Sequence, residues 1–415
     1  MKNKIKFLTN TEDKKRLMSN FFSLSVLRGF QFLIPLITLP YIVRTIGIEN
    51  FGLLSFAMSL GVYFQSFIQY GFSVTATREI ARNREDIQKV SQIFYKTFLA
   101  SLFLTIFSFL IYLIILFSFE KFNQHFELYL LVFAVISSQS LFPIWFFQGM
   151  EKMKFITFFH LTTSIVFLLL LVPLVKTVDD FIFIPLLQSV IALIMLGLSF
   201  FVIHKKFGIE YTCINIQQIK QTLIHGKDVF ISSFFLNLYT NTPMFLLGMV
   251  ANNTTVGLFA AAVKLIDAAG SIAYVFSNTF LPYLSRGLSK HLFFQKIMIS
   301  VGLLIMIFTI LFADYIVTVM YGEGKELVAF YLQLLSIGVP LIFIQLTYGT
   351  NYLNLIGKDD LVRKIVVNVS ILSLLYSVLL IYIFSVWGAI FTLVFTRVLL
   401  SSSYFLSYLK AKKDL

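Results

Sequence analysis

Apolar runs of about 20 residues, separated by short polar connections, recur along the whole chain, and each is long enough as a helix to cross about 30 Å of hydrocarbon. Twelve runs fit, near residues 19–43, 52–76, 93–118, 127–148, 156–175, 182–203, 226–251, 257–282, 297–320, 327–351, 365–384 and 387–409. The pattern predicts an all-α integral membrane protein of about 12 transmembrane helices, with little material outside the bilayer. Ahead of the first run, a polar segment of 18 residues holds Lys2, Lys4, Lys6, Lys14, Lys15 and Arg16. A secretory signal would have a shorter apolar core and a small-residue cleavage site, so the run that follows reads as the first helix.

The polar connections carry their basic residues on alternate sides. Of the 33 Lys and Arg, 25 fall in the connections of one side and only Arg44, Lys121, Lys176 and Lys325 in those of the other. Positive charge is retained on the cytoplasmic face, which predicts cytoplasmic termini and an even number of spans. The net charge of +13 is thereby explained by topology. Composition agrees: 58% hydrophobic and 13% charged residues exclude a water-soluble globule of 415 residues. A single cysteine, Cys213, excludes an internal disulfide framework.

The longest polar stretch, 204–225, divides the chain into an N-terminal six-helix bundle at 1–203 and a C-terminal one at 226–415. Pairing Gly52 with Gly257 aligns Phe51-Gly52-Leu53-Leu54-Ser55-Phe56-Ala57 with Val256-Gly257-Leu258-Phe259-Ala260-Ala261-Ala262, at an offset of 205. Gly149 pairs with Gly357 at 208. Six spans per half make these parallel repeats, related by a pseudo-two-fold axis along the membrane normal.

Within the spans, polar residues gather in narrow arcs at 100° per residue. The first run groups Arg28, Gln31, Pro35 and Thr38; the second Ser55, Ser59, Ser66, Gln69 and Ser73. The seventh groups Ser233, Asn237, Thr240 and Asn241, and the eighth Lys264, Asp267, Ser271, Tyr274 and Asn278. These four runs correspond under the repeat, so a common cleft lined by them is expected; the alternative is helix glue. Charges weigh more, because each costs at least about 2.5–3.5 kcal/mol at the bilayer centre unless it meets a partner or water. The candidate substrate-binding residues are therefore Arg28, Gln31, Asn237, Asn241, Lys264, Asp267 and Arg397, whose net positive charge suits a dianionic ligand. A structural ion pair competes for Arg28, a Lys264–Asp267 pair is geometrically open, and Arg397 competes with snorkelling from a peripheral helix. Lys96 is expected to snorkel outward; Arg78 and Glu79 are a candidate cytoplasmic entrance for an anionic head group.

All eight prolines (35, 40, 143, 173, 185, 243, 282 and 340) lie in or at the ends of runs, where bends serve either rocking or static shape. No glycine-rich phosphate loop, HExxH or Cys/His metal spacing occurs, so no catalytic residue, metal or cofactor is assigned and the chain is not expected to be an enzyme. The sequons at Asn252 and Asn253 read as chance matches in an Asn-Thr-rich turn.

The segment PYIVRTIGIENFGLLSFA, residues 40–57, closely resembles the end of the first span in Wzx-type O-antigen and polysaccharide flippases. GFSVTATREIARNR at 71–84, FFQGMEKMKFIT at 146–157 and the Gly357 region are similar to the same family. The resemblance runs over nearly the whole chain. It implies membership of the multidrug/oligosaccharidyl-lipid/polysaccharide exporter superfamily, with two six-helix bundles around a cleft that opens alternately to either side. The implied substrate is an undecaprenyl-pyrophosphate-linked oligosaccharide, moved across the bacterial cytoplasmic (inner) membrane to its outer leaflet for O-antigen or other polysaccharide biosynthesis. Polysaccharide assembly proteins as partners, and a proton or sodium gradient as driving force, stay open. Three alternatives compete: a cation-coupled multidrug antiporter, which would need a more acidic interior; a sugar polymerase or ligase, which would need a larger outer loop; and an assembly scaffold, for which buried charge has no use.

Overall fold

The computed structural model describes the backbone at 11–285, 287 and 291–413, and side chains within those ranges from residue 34 onward except Pro282. Arg28 and Gln31 thus lie outside the described side chains. Among the described residues the chain is helical without a strand, and ten helical stretches are long and apolar enough to cross a membrane. The first stretch, Ile34–Asn83, contains a break: in the helix α1 (Thr11–Gln69), Gly47 has φ 79° and ψ 164°. That extended, positive-φ geometry is open to glycine and strained for other residues, and it separates the first expected span from the second. Helix α8 (Ile216–Val250) occupies the place of the seventh expected span. Its Ser233, Asn237, Thr240 and Asn241 dilute the apolar run, which keeps it outside the ten.

The other helices are α2 (Phe72–Asn83), α3 (Ile87–Ser118), α4 (Phe126–Leu141), α5 (Ile144–Gly149), α6 (Met153–Leu174) and α7 (Phe183–Phe207). After α8 come α9 (Asn253–Leu284), α10 (His291–Leu311), α11 (Ala313–Tyr321), α12 (Glu326–Ser336) and α13 (Gly338–Gln345). A π-helical turn at Leu346–Leu353, α14 (Asp359–Phe384) and α15 (Val386–Lys413) complete the chain. Most of the polar 204–225 stretch is itself helical, because α7 runs to Phe207 and α8 begins at Ile216. Pro143 separates α4 from α5, as a residue without an amide donor does, whereas Pro35, Pro40, Pro173 and Pro243 sit inside helices. The Asn-Thr-rich turn has a structural use: Asn252 caps α9 by accepting from the Thr255 amide at 2.8 Å.

By packing, the chain forms two compact units. One holds Gly61–Lys176 and Ile182–Ser233; the other holds Pro35–Leu60, Thr177–Phe181 and Phe234–Leu415. Residues 177–181 join the second because the Asn50 amide donates to the Val178 carbonyl at 2.9 Å. Two further bonds tie α1 into it. Arg44 donates to the Val319 carbonyl at 2.6 Å, placing a cation on the last turn of α11, and Asn241 donates to the Ser59 carbonyl at 2.6 Å.

The second unit also brings the repeat-related glycines into direct contact. A Cβ on Gly52 would lie 1.9 Å from the Asn253 oxygen, and one on Gly257 would lie 1.9 Å from the Ile48 oxygen. Ile48 and Asn253 are separated by the same 205 positions as Gly52 and Gly257, so the crossing of α1 on α9 is reciprocal. Small residues let two helix backbones approach this closely in a membrane protein, where packing replaces the hydrophobic effect as the force between helices. In the same unit the π turn is stapled at both ends. Asn351 donates to the Ser277 carbonyl at 3.0 Å, and the ring Nε2 of buried His291 lies 3.1 Å from the Thr347 carbonyl.

Candidate functional site

Arg397 lies eleven residues into α15, about 17 Å along it, and Lys264 lies equally far into α9. Depth of this order places both groups well inside the apolar part of their helices. The Arg397 side chain crosses Gly338, the first residue of α13, where an added Cβ would stand 2.7 Å from Nη1 and 3.0 Å from Cδ. A side chain there would displace the guanidinium from this position. Gln345, at the far end of α13, donates to the Arg397 carbonyl at 3.2 Å and fixes the backbone beneath it. Arg397 Nη1 is buried, with no hydrogen-bond partner among the described residues. A buried guanidinium donor left unpaired is costly, and such groups in native proteins are ordinarily answered by a ligand, ion or water.

The surroundings are polar. Asp267, Tyr239 and Tyr274 are the electrostatic neighbours of Arg397, and Asp267 also interacts with Lys264. Tyr404, seven residues after Arg397 and on the same face of α15, is an electrostatic neighbour of Tyr239 and Tyr274. Lys264 and Asp267, three residues apart on α9, are both exposed, and among the described residues neither forms an ion pair within 4 Å. Two cations, one carboxylate and three phenols therefore converge within one unit without quenching one another as close pairs. That set can hold an anion bearing hydroxyl groups: guanidinium and ammonium for charge, phenols as donors and acceptors. The described Arg397 geometry also differs from that of a snorkelling side chain, since its head is packed against α13.

Asn241 belongs to the frame of this region, being spent on Ser59, and Asn237 is half-buried and has a partner of its own. Tyr239 and Tyr404 were not among the sequence candidates. Tyr404 was legible as the i+7 neighbour of Arg397; Tyr239 sits between the polar positions of its helix and gave no periodic signal.

The proposed cytoplasmic entrance lies in the other unit. The α2 helix opens with Tyr70 at φ 43° and Gly71 at φ 74°, which turns the chain sharply after α1. Its buried face, Ala76 and Ile80, packs on α5, where Gly149 has no room for a Cβ, 2.6 Å from the Ile80 Cβ. Thr77 donates toward the Trp145 carbonyl at 3.2 Å. On the adjacent face Thr75, Glu79 and Asn83 line a cavity of about 320 Å³, with Gln92 from α3 and Gln221 and His225 from α8. Lys96 donates to Glu79 at 2.5 Å, so it stays at the cavity rather than snorkelling outward. Arg78 is exposed and is not among the described residues that line this cavity. Asp86, which caps α3 beside the cavity, is held below the usual carboxylate range by the Lys89 amide and ammonium.

The profile of a family described as "Polysaccharide biosynthesis protein" matches residues 17–288. A protein of Escherichia coli (strain K12) named "Putative O-antigen transporter" is 27% identical over 94% of this chain and 96% of its own. Another of the same name from Shigella dysenteriae is 25% identical over 92% of this chain and 97% of its own. Among solved structures, the inward-facing conformation of a multidrug resistance MATE family transporter of the MOP superfamily superposes with a TM-score of 0.65 at 14% identity, covering 94% of this chain and 98% of that one. The MATE multidrug transporter DinF-BH gives 0.64 at 16% identity, covering 96% and 95%. These two likenesses establish an all-α membrane fold of two helical bundles.

Proposed function

The chain belongs to the polysaccharide biosynthesis protein family, and from that premise we propose that it is a flippase for a polysaccharide precursor, carried as an undecaprenyl-pyrophosphate-linked oligosaccharide. The single observation that carries the reading is the unpaired, buried Arg397 Nη1, whose electrostatic neighbours are Asp267, Tyr239 and Tyr274. A pyrophosphate is the anion such a set would take, and its charge is what a bilayer most resists. The described cations hold it, Asp267 serves as counter-ion to them while the site is empty, and the phenols answer the nearest sugar hydroxyls. The prenyl tail needs no polar partner and stays in lipid. Arg28 and Gln31, on the first run, stay in this reading as candidates from the sequence for contact with the same cargo.

Movement follows by alternating access between two repeats, 1–203 and 226–415, with the 204–225 connection between them and the reciprocal Gly52–Gly257 crossing as local support for the repeat. Positive charge in the connections supports cytoplasmic termini and insertion in the bacterial inner membrane, with loading from the cytoplasmic leaflet near Glu79 and Arg78. The names of the two relatives favour a saccharide over a drug. An antiporter for cationic drugs would be poorly served by a site in which two cations face one carboxylate.

The test is surface polysaccharide in cells carrying Arg28→Ala, Lys264→Ala or Arg397→Ala, with abundance in the membrane measured alongside. The reading expects normal insertion, loss of surface polysaccharide and accumulation of the lipid-linked precursor on the cytoplasmic leaflet. Export at the wild-type rate in all three would remove the cationic site from the route.

A further inference from the structure

Within the unit formed by Gly61–Lys176 and Ile182–Ser233 lies a second cavity, of about 400 Å³, that is unlike either site above. It is bounded by α1, α4, α6 and α7, and Gln65, Gln69, Gln139 and His160 supply its strongest polar groups. Ser138, Thr163 and Ser164 add hydroxyls, and among the described residues no Lys, Arg, Asp or Glu lines it. His160 is seven residues into α6, about 10 Å along the helix, so the cavity sits inside the apolar zone rather than at a helix end.

Three features point to a ligand. First, neither the three glutamine amides nor the His160 ring hydrogen-bonds to another described residue, although Ser138 and Thr163 donate to their own helices, at 2.5 and 2.8 Å. Polar groups that merely glued helices would be bonded to each other or to backbone. Second, the amides each offer a donor pair and an acceptor, the arrangement that matches neighbouring hydroxyls on a ring. Third, Phe142 and Phe159 are rings of the wall, 5.4 Å apart edge to face, with Phe142 also 6.1 Å from the His160 ring. Aromatic surface beside amides suits a molecule that is apolar on its faces and polar around its rim. The described lining of amides, hydroxyls, an imidazole and rings suits an uncharged one.

Resting on the flippase reading, we propose that this cavity seats an uncharged pyranose residue of the cargo oligosaccharide. Gln65 and Gln139 grip its hydroxyls, His160 acts as a neutral hydrogen-bonding group, and Phe142 lies against its apolar face. The site selects the saccharide, as distinct from the carrier. Its volume lies within the usual range for small-molecule pockets, about 300–1,000 Å³.

The experiment uses the full chain in lipid nanodiscs and two probes: the lipid-linked oligosaccharide extracted from the host strain, and undecaprenyl pyrophosphate without sugar. The wild type is expected to bind the glycosylated lipid about tenfold or more tightly than the bare one, the equivalent of one or two hydrogen bonds. Gln139→Leu and His160→Phe should each remove most of that preference and leave binding of the bare lipid within about twofold, while His160→Gln should retain it. Thermal unfolding in the same nanodiscs identifies a variant that has lost its fold, and the other variant then decides. Variants that are folded yet keep the full wild-type preference overturn this inference alone. A wild type that binds neither probe overturns the flippase reading and this inference with it.

Discussion

The two units gather different chemistry. In one, Arg397, Lys264 and Asp267 bring charge deep into apolar helices; in the other, the Gln65, Gln69, Gln139 and His160 cavity is polar with no charged group among its described lining residues. In the proposed reading, charge answers the pyrophosphate of the carrier, whereas amides and rings answer what varies among sugars. The difference teaches that carrier recognition and glycan recognition can be separated in one chain, and that mutations in the two places should fail in different ways.

The largest effect should come from removing the frame on which the charged site is built. Gly257→Val would drive a side chain into the Ile48 carbonyl, and α9, which carries Lys264 and Asp267, cannot then stay against α1. Membrane abundance should fall by about tenfold or more, because overpacking of this severity exceeds the usual range of about 1–3 kcal/mol. Next comes Arg397→Ala, with normal abundance and an export rate lowered about 10- to 100-fold for any glycan, in line with about 1.5–3 kcal/mol for a hydrogen bond to a charged group. Arg397→Lys keeps the charge and loses the planar fork, so it should fall between the two. Gly338→Val should reproduce part of that defect by displacing the guanidinium without touching the charge.

Smaller and glycan-dependent losses are expected on the neutral side. Gln139→Leu should slow export severalfold for the native oligosaccharide and much less for a cargo trimmed to one sugar, as a competition of two cargoes in the same cells would report. Smallest of all is the Glu79–Lys96 pair, which is partly exposed and worth about 1 kcal/mol or less. Lys96→Met should change export by about twofold or less, and a large loss there would move the charged step toward the α2 mouth.

How much of this was legible before the fold was known depends on the kind of residue. Spans are written in hydropathy, so the course of the helices was plain; the Gly47 break was not, because glycines occur within many spans and only backbone geometry distinguishes this one. Intramembrane charge is rare enough to announce itself, which is why Lys264, Asp267 and Arg397 stood out. Their partners were harder. Gly338 matters through the space it leaves, and Tyr239 through a convergence of three helices, neither of which a linear pattern records. The sequence suggests a snorkelling Lys96, yet Glu79, 17 positions earlier, supplies its partner. Gln65, Gln139 and His160 are scattered along the sequence on three helices, so only folding gathers them.

The most direct test of the central claim is the movement of a lipid-linked oligosaccharide between leaflets of proteoliposomes containing only this protein, scored by accessibility of the glycan to an external glycosidase. The account predicts that the wild type exposes glycan that protein-free vesicles keep inside, and that Arg397→Ala, reconstituted to the same density, lowers the rate at least about tenfold. Equal rates for the wild type and Arg397→Ala would contradict it.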